Sequence, residues 1–219
     1  MAVRMDDVWR KGLRYEPSER WVRGLRDGDA IVDSKRPVVV WLEGKTVPVY
    51  AFPREDVADG VETEQLGDPD LDGLVLVPWE AADKWLEEEE EMVAHARDPF
   101  SRIDIRASSR HVRVERDGDL LAESRRPLLL FETGLPTRYY VPLEDVVAPT
   151  ESSDRHTQCA YKGTASYLSV GGHEDIAWYY LDPLPGIEAI RGLVAFFNER
   201  TEITVDGEAA ERPQTQWSE

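Results

Sequence analysis

The sequence predicts a mainly β protein built from two tandem antiparallel units, a truncated first unit and a complete second unit, joined by a helix. Three observations support this prediction: an internal duplication, runs of alternating or continuous apolar residues, and turn signals between those runs. We place the boundary so that residues 1–97 hold the degenerate first unit with the joining helix and residues 98–219 the complete second unit.

The duplication is visible when residues 21–40 are aligned with residues 111–130. Nine of the twenty positions are identical, and each segment contains the tetrapeptide Arg-Asp-Gly-Asp. A one-residue shift then aligns residues 50–57 with residues 139–146. Agreement of this extent indicates a repeated structural unit.

Each copy has the pattern of β structure. In the second copy, two alternating segments flank Asp117 and Gly118, a pair that favours a hairpin turn because glycine tolerates positive φ. Pro127 then precedes the nearly continuous apolar run 128–132, which is typical of a strand buried on both faces. The first copy follows the same plan.

After this shared part the copies diverge. The second copy continues with β-like runs at 159–170, 175–181 and 192–197. The first copy has one short run and then apolar residues at helical spacing, which predict a helix from Trp79 to about His95. That helix and residues 98–109 are interpreted as the bridge between copies. The residues after Asp206 are expected to be frayed.

Composition excludes some classes of function. Acidic residues exceed basic ones by 44 to 26, giving a formal net charge of -18 that repels phosphate backbones and anionic lipids. We therefore predict no nucleic-acid partner and no membrane partner. A single cysteine permits no intramolecular disulfide, and neither a signal peptide nor a spanning segment is recognisable, so a cytoplasmic location is expected. The sequence carries no signal for an oligomeric state.

Several segments of the second copy resemble a known family. They are RPLLLFETGLPTRYYVPLEDV (126–146), TQCAYKGTASYLSV (157–170), AWYY (177–180) and GLVAFFNE (192–199). Together they resemble the bacterial family called domain of unknown function 427, and the doubled arrangement resembles its tandem members. Ala160 departs from the family, which usually has proline after the cysteine.

The resemblance implies a fold. The family looks like a β-tent, in which two small antiparallel sheets meet at an angle, and it is similar to methionine sulfoxide reductase B and the ligand-binding domain of cereblon. Those relatives usually hold zinc with two Cys-x-x-Cys pairs, which this chain lacks, so apolar packing must hold the tent. We accordingly expect neither a metal nor a cofactor. Residues 68–73 imitate the start of an EF-hand loop, but position 79 is Trp79 instead of the closing glutamate.

The candidate site lies in the second copy. Cys159 is interpreted either as a small buried hydrophobe or as a catalytic thiolate that needs a base such as His156 or His173. Strand alternation through residues 159–167 predicts that Cys159 and Lys162 point to opposite faces. Lys162 is either a surface lysine or an anion contact in a pocket, and Gly163 would let a ligand or another backbone approach closely.

Two further groups complete the candidate set. The aromatic residues Tyr139, Tyr161 and Trp178 form either part of the core or a cage for a planar or cationic ligand. Glu132 follows an apolar run, so it is expected either to pair with Arg126 or Arg138 or to act as a general base. Glu43 is taken as its counterpart in the first copy, which favours the structural role.

These residues lead to three hypotheses. The leading one is a module that binds a small molecule in a cleft of the second unit lined by Tyr139, Tyr161, Lys162, Gly163 and Trp178. The first alternative is an enzyme acting on a small metabolite, with Cys159 and Glu132 as catalytic residues and Lys162 assisting. The second alternative is a structural or protein-interaction module whose aromatic residues are core.

Overall fold

The computed structural model describes residues 12–218, and these form antiparallel β-sheets. The helices within that range are single 3-10 turns, at Arg54–Asp56, Pro69–Leu71, Trp79–Ala81, Leu143–Asp145 and Glu188–Ile190. The chain divides into two compact units, of which the first ends at Pro99 and the second begins at Phe100. The predicted mainly β class is therefore confirmed.

The N-terminal unit contains a five-stranded sheet, in the order β1-β4-β5-β7-β6, and a four-stranded sheet, in the order β3-β2-β8-β9. Its strands are β1 (Arg14–Pro17), β2 (Val22–Arg26), β3 (Asp29–Ser34), β4 (Val38–Trp41), β5 (Val49–Pro53), β6 (Glu64–Gln65), β7 (Leu74–Leu76), β8 (Lys84–Glu87) and β9 (Glu90–Glu91).

The predicted helix from Trp79 to His95 is wrong. This segment begins with one 3-10 turn and continues as the strands β8 and β9, which pair with each other. Trp85 is buried where an added Cβ on Gly24 of β2 would lie 2.9 Å from its ring, and Glu88 turns the chain with a φ of +50°. Pairing with β2 and burial of this ring outweigh the helical spacing of the apolar residues.

The C-terminal unit contains a seven-stranded sheet, in the order β10-β13-β14-β18-β17-β16-β15, and a four-stranded sheet, in the order β12-β11-β19-β20. Its strands are β10 (Ile103–Ala107), β11 (Val112–Arg116), β12 (Asp119–Ser124), β13 (Leu128–Glu132), β14 (Arg138–Val141), β15 (Thr150–Cys159), β16 (Gly163–Val170), β17 (His173–Tyr179), β18 (Val194–Phe196), β19 (Glu202–Val205) and β20 (Glu208–Ala209).

The segment 98–109, interpreted from its sequence as part of the bridge, contains both the junction of the two units and a strand of the C-terminal sheet. Within it, β10 pairs along its whole length with β13, from Ile103 opposite Glu132 to Ala107 opposite Leu128. Its backbone hydrogen bonds therefore belong to the seven-stranded sheet of the C-terminal unit.

The two units contain hairpins of the same register. β2 and β3 pair from Val22 opposite Ser34 with a bulge after Gly24, and β11 and β12 pair from Val112 opposite Ser124 with a bulge after Val114. Between β14 and β18, however, the C-terminal unit inserts the meander β15-β16-β17, whereas the N-terminal unit has β6 alone between β5 and β7. The extra strands carry Cys159 and border Lys162.

The central strands of the seven-stranded sheet are buried on both faces. One face packs with the small sheet around Leu121, Val141 and Phe196. The other face is aromatic, and its buried residues include Tyr140, Trp178 and Phe197. We call this second surface the aromatic face.

The residues after Asp206 are ordered by contacts, contrary to the expectation that they fray. They begin with β20, which pairs with β19, and end with Trp217, which packs against the aromatic face. Thr215 donates a hydrogen bond of 2.7 Å to Glu199, and Arg200 donates one of 2.9 Å to the carbonyl oxygen of Trp217. Among the described residues, no helix is long and apolar enough to cross a membrane.

Candidate functional site

The stretch from Cys159 to Gly163 is a tight turn and not the middle of a strand. β15 ends at Cys159, β16 begins at Gly163, and these two residues pair across the turn. The expected alternation through 159–167 therefore fails, because the chain reverses direction within it. Lys162 is the last residue of the turn, and its carbonyl oxygen accepts a hydrogen bond of 3.2 Å from the backbone N–H of Leu184.

Gly163 lets another stretch of backbone approach the turn. Its φ is +95°, and an added Cβ would lie 3.3 Å from the carbonyl oxygen of Asp182. Contact with a second backbone, one of the two roles predicted for Gly163, is present in the structure. The contact fixes the position from which the Lys162 side chain extends.

Lys162 and Glu132 form a buried ion pair. The Lys162 Nζ donates a hydrogen bond of 2.5 Å to Glu132 Oε2, and the two side chains are 10% and 8% exposed. Neither predicted arginine pairs with Glu132: Arg126 binds Glu144 and Asp145 instead. Of the two interpretations offered for Lys162, the surface lysine is therefore wrong, because the side chain is buried.

The ion pair requires a strongly curved sheet. Glu132 ends β13 and Lys162 directly precedes β16, and the strands β14, β18 and β17 lie between them in the sheet order. Four steps of about 4.8 Å between neighbouring strands would place the two backbones roughly 19 Å apart in a flat sheet. The side chains meet because the sheet curls, so that the aromatic face is concave and the ion pair spans it.

The Glu132 charge acts on two buried tyrosines of the aromatic face, Tyr140 and Tyr180. Burial raises the pKa of Tyr140 well above its ordinary value; the hydrogen bond from Trp178 opposes the rise and the Glu132 charge adds to it. Burial also raises the pKa of Tyr180, and Tyr140, Cys159 and Glu132 raise it further by repelling a phenolate. Both groups are therefore neutral phenols at physiological pH, able to donate and accept hydrogen bonds.

Tyr180 differs from Tyr140 in its hydrogen bonding. The Tyr140 hydroxyl accepts a bond of 3.2 Å from the indole N–H of Trp178. The Tyr180 side chain is also buried, with 4% of the residue exposed, yet within residues 12–218 its hydroxyl makes no hydrogen bond. The hydroxyl can therefore still donate and accept hydrogen bonds, and these bonds are available to a ligand.

The structure separates the aromatic residues that the sequence grouped. Trp178 lies on the aromatic face, where its ring centroid is 4.7 Å from that of Phe197. Tyr139 lies on the opposite face of the same sheet, packed against the other core. Tyr161 is half-buried in the turn beside Lys162. The rings of the aromatic face pack on one another, so they form a floor and not the walls of a cage.

Cys159 borders the same group of side chains without an activating partner. It is a free thiol of intermediate exposure whose charge would raise the pKa values of both Tyr140 and Tyr180. In the part of the chain that is described, its sulfur makes no hydrogen bond, and the nearby His156 contacts Ser166 at 3.2 Å.

Sequence reasoning missed a second buried ion pair on the aromatic face. Arg138 donates two hydrogen bonds of 2.7 Å to Glu199, whose side chain is fully buried. The guanidinium carbon lies 5.4 Å from the Trp178 ring and 5.5 Å from the Trp217 ring. The apolar run before Glu199 could have indicated this pair, because a carboxylate at the end of such a run is expected to be buried and then needs a cation.

A shallow depression of about 370 Å³ lies elsewhere in the C-terminal unit. It is lined by Asp119, Leu120, Leu121, Ala148, Pro149, Gly171 and Gly172. The glycines follow the C-terminal end of β16, whereas Lys162 precedes its N-terminal end, so the depression and the ion pair are separated by the length of the strand. No cluster of three or more potential metal ligands occurs among residues 12–218.

The fold and the site define a mainly β protein of antiparallel sheets in which a curved sheet carries a buried lysine–glutamate pair. The family model described as Domain of unknown function (DUF427) matches residues 104–207, which supports the family resemblance for the C-terminal unit. Comparison with curated proteins found none that matches the chain.

Proposed function

We propose that the C-terminal unit binds a small polar molecule at the rim of the aromatic face, through Lys162, Glu132 and the hydroxyl of Tyr180. The observation that carries this proposal is the buried ion pair of Lys162 and Glu132 on the aromatic face. The Tyr180 hydroxyl, which makes no hydrogen bond among the described residues, adds a third polar group. A binding site commonly combines an apolar floor with a few convergent polar groups, which is the arrangement here.

The N-terminal unit supplies an internal comparison. We propose that it is a shorter tandem copy of the same tent-like unit, because Val38 faces Ala51 there as Leu128 faces Tyr140. In that register Leu42 occupies the place of Glu132, and the exposed Glu43 is not the counterpart.

The comparison extends to the neighbouring strand. Val49 and Ala51 stand in the register where the C-terminal unit has Arg138 and Tyr140, and the buried cluster on that face is aliphatic. Polar residues on the aromatic face are therefore no requirement of such a sheet. A buried ion pair is weak evidence for stability, since apolar replacements of similar volume are often equally stable. Its presence in one unit alone favours a role in binding.

The proposed site includes fewer of the predicted residues than the sequence suggested. Lys162 and Tyr161 remain at the rim, and Trp178 contributes to the floor through Tyr140. Tyr139 is excluded because it lies on the opposite face. Gly163 contributes indirectly, because it lets the Asp182 backbone approach the turn that carries Lys162.

The experiment is a ligand-observed NMR screen of polar metabolites with the full chain. Each compound is tested against the wild-type protein and against the double variant Glu132→Leu/Lys162→Met, which keeps the side-chain volume without the charges. We expect compounds whose saturation-transfer signal is lost in the double variant. The proposal fails if no compound binds the wild type, or if every compound binds the folded double variant equally well.

A second candidate function is an enzyme that uses Cys159, favoured by the position of this free, partly exposed thiol at the start of the turn that carries Lys162. A catalytic thiol needs a lowered pKa, and a lowered pKa would make it react with iodoacetamide in the folded state well below pH 8. Reaction at the rate of free cysteine or slower, over pH 6 to 9, would leave this candidate without its nucleophile.

A further inference from the structure

The class of ligand follows from the two buried charges of the site, because a bound ligand must pair with both of them. Lys162 and Glu132 are each about nine-tenths buried and each satisfies the other. A ligand that enters between them separates the pair. Any buried charge that it does not pair again costs several kcal/mol.

A ligand with a single charge cannot satisfy this condition. An anion that binds Lys162 leaves the Glu132 carboxylate alone, and a cation that binds Glu132 leaves the Lys162 ammonium alone. A ligand with both charges replaces one internal ion pair with two intermolecular pairs, and the net charge of the site stays the same. Such a ligand also needs no proton uptake or release by either residue.

The hydroxyl of Tyr180 adds a third contact. The Tyr180 side chain is buried, the Glu132 charge acts on its hydroxyl, and this hydroxyl makes no hydrogen bond within the described residues. Because a neutral phenol both donates and accepts, it can donate to the carboxylate of a bound ligand or accept from its ammonium group. The site therefore presents a cation, an anion and a neutral hydroxyl above an apolar floor.

We infer that the ligand of this site is a small zwitterion, whose carboxylate binds Lys162 while its ammonium group binds Glu132. The inference rests on the proposed binding function. It specifies an amino acid or another short molecule with one ammonium and one carboxylate group, and it excludes simple carboxylates, simple amines and uncharged amides as strong ligands.

The test uses calorimetric titration of the full chain with a matched series of probes. The zwitterions are glycine, β-alanine, γ-aminobutyrate and δ-aminovalerate, which differ in the separation of their charges. The controls are propionate, propylamine and propionamide, which carry one charge or none. We expect at least one zwitterion to bind at least tenfold more tightly than all three controls.

Variants of the pair make the prediction sharper. The exchange Glu132→Lys/Lys162→Glu keeps both charges, so zwitterion binding should be retained within about tenfold with the ligand reversed. Glu132→Gln should shift the preference toward propionate, and Lys162→Met should shift it toward propylamine. Glu199→Gln alters the other buried pair of the aromatic face and should leave the ranking of the probes unchanged.

The outcomes distinguish a failure of the inferred ligand class from a failure of the proposed binding function. If propionate, propylamine or propionamide binds as tightly as the best zwitterion, and the double variant Glu132→Leu/Lys162→Met abolishes that binding, the ligand class is wrong but the site stands. If neither these probes nor the metabolite screen gives binding that depends on the pair, both ideas are overturned. If a single variant does not fold, the charge-exchanged variant still decides the ligand class.

Discussion

Lys162 contacts Glu132 across the concave face of a seven-stranded sheet, although three strands separate β13 from β16. The contact joins the turn before β16 to the end of β13, and it is 2.5 Å long between Nζ and Oε2. The curvature of the sheet therefore brings together the two charged side chains of the proposed site.

The first prediction concerns the stability of this pair. Lys162→Met leaves the Glu132 carboxylate buried without a cation, so the free energy of unfolding should fall by about 3–5 kcal/mol. Glu132→Leu should have a similar effect through the ammonium group. Urea denaturation of the purified variants measures both changes.

The double variant provides the control for that experiment. Glu132→Leu/Lys162→Met should recover most of the loss and lie within about 2 kcal/mol of the wild type, because apolar replacements of a buried pair are often neutral or stabilising. Single variants that cost less than about 1 kcal/mol would show that the two charges are solvated in solution.

The second prediction concerns the pH dependence that Glu199 gives to stability. Burial by itself would raise the pKa of Glu199, but hydrogen bonds from Arg138 and Thr215 outweigh it, and the pKa lies below its ordinary value. The unfolded carboxyl titrates near pH 4.3. The stabilisation is therefore fully present above that pH and is lost as the pH falls through the lower pKa of the folded state.

Glu199→Gln tests this relation. The difference in unfolding free energy between wild type and variant should shrink as the pH is lowered from about 6 to 3. Glu211→Gln is the matched control, because Glu211 is exposed, and its difference should stay small throughout. A difference for Glu199→Gln that is constant with pH would mean that Arg138 does not stabilise the charged form.

The third prediction concerns the C-terminal segment. Trp217→Ala removes a ring that packs on the aromatic face and covers the Arg138 guanidinium, so the unfolding free energy should fall by about 1–3 kcal/mol. Thermal and urea unfolding monitor the change. Gln216→Ala, at an exposed neighbouring position, should change stability by less than about 0.5 kcal/mol. Equal effects of the two substitutions would contradict docking of this segment.

The fourth prediction concerns the turn that carries Lys162. Gly163 and Gly172 both have positive φ, but a Cβ would approach the Asp182 carbonyl oxygen only at Gly163, whereas nothing lies within 4 Å of it at Gly172. Gly172→Ala should cost about 1–2 kcal/mol from backbone strain alone. Gly163→Ala should cost more, because the turn must also move away from Asp182. Urea denaturation compares them, and equal costs would show that the backbone contact is unimportant.

Local patterns were enough to predict the shared strands of the two units. Alternation around Asp27-Gly28 and Asp117-Gly118, followed by a proline and an apolar run, gave the hairpins and the strands after them. These signals depend on residues that are close in sequence, so they can be recognised without knowing the tertiary contacts. The strands from β2 to β5 and from β11 to β14 are found where the pattern indicated.

Features that depend on tertiary contacts were not predictable. The segment after Trp79 has helical spacing, but its strands exist because Trp85 is buried against β2. The partner of Glu132 was sought among the arginines nearest in sequence, whereas curvature of the sheet brings Lys162 to it. The contacts of Trp217 likewise depend on an ion pair that only the folded unit assembles.

The pairing of β11 with β19 sets an order for folding during synthesis. It places Val112 opposite Val205, near the two ends of the C-terminal unit, whereas the pairing of β2 with β8 in the N-terminal unit is complete at Glu87. On the ribosome, the N-terminal unit can finish its small sheet while the second unit is still being made. The second unit must wait until the chain through Val205 has emerged, and in a nascent chain arrested before that point the edge of β11 that pairs with β19 stays unpaired and accessible to chaperones.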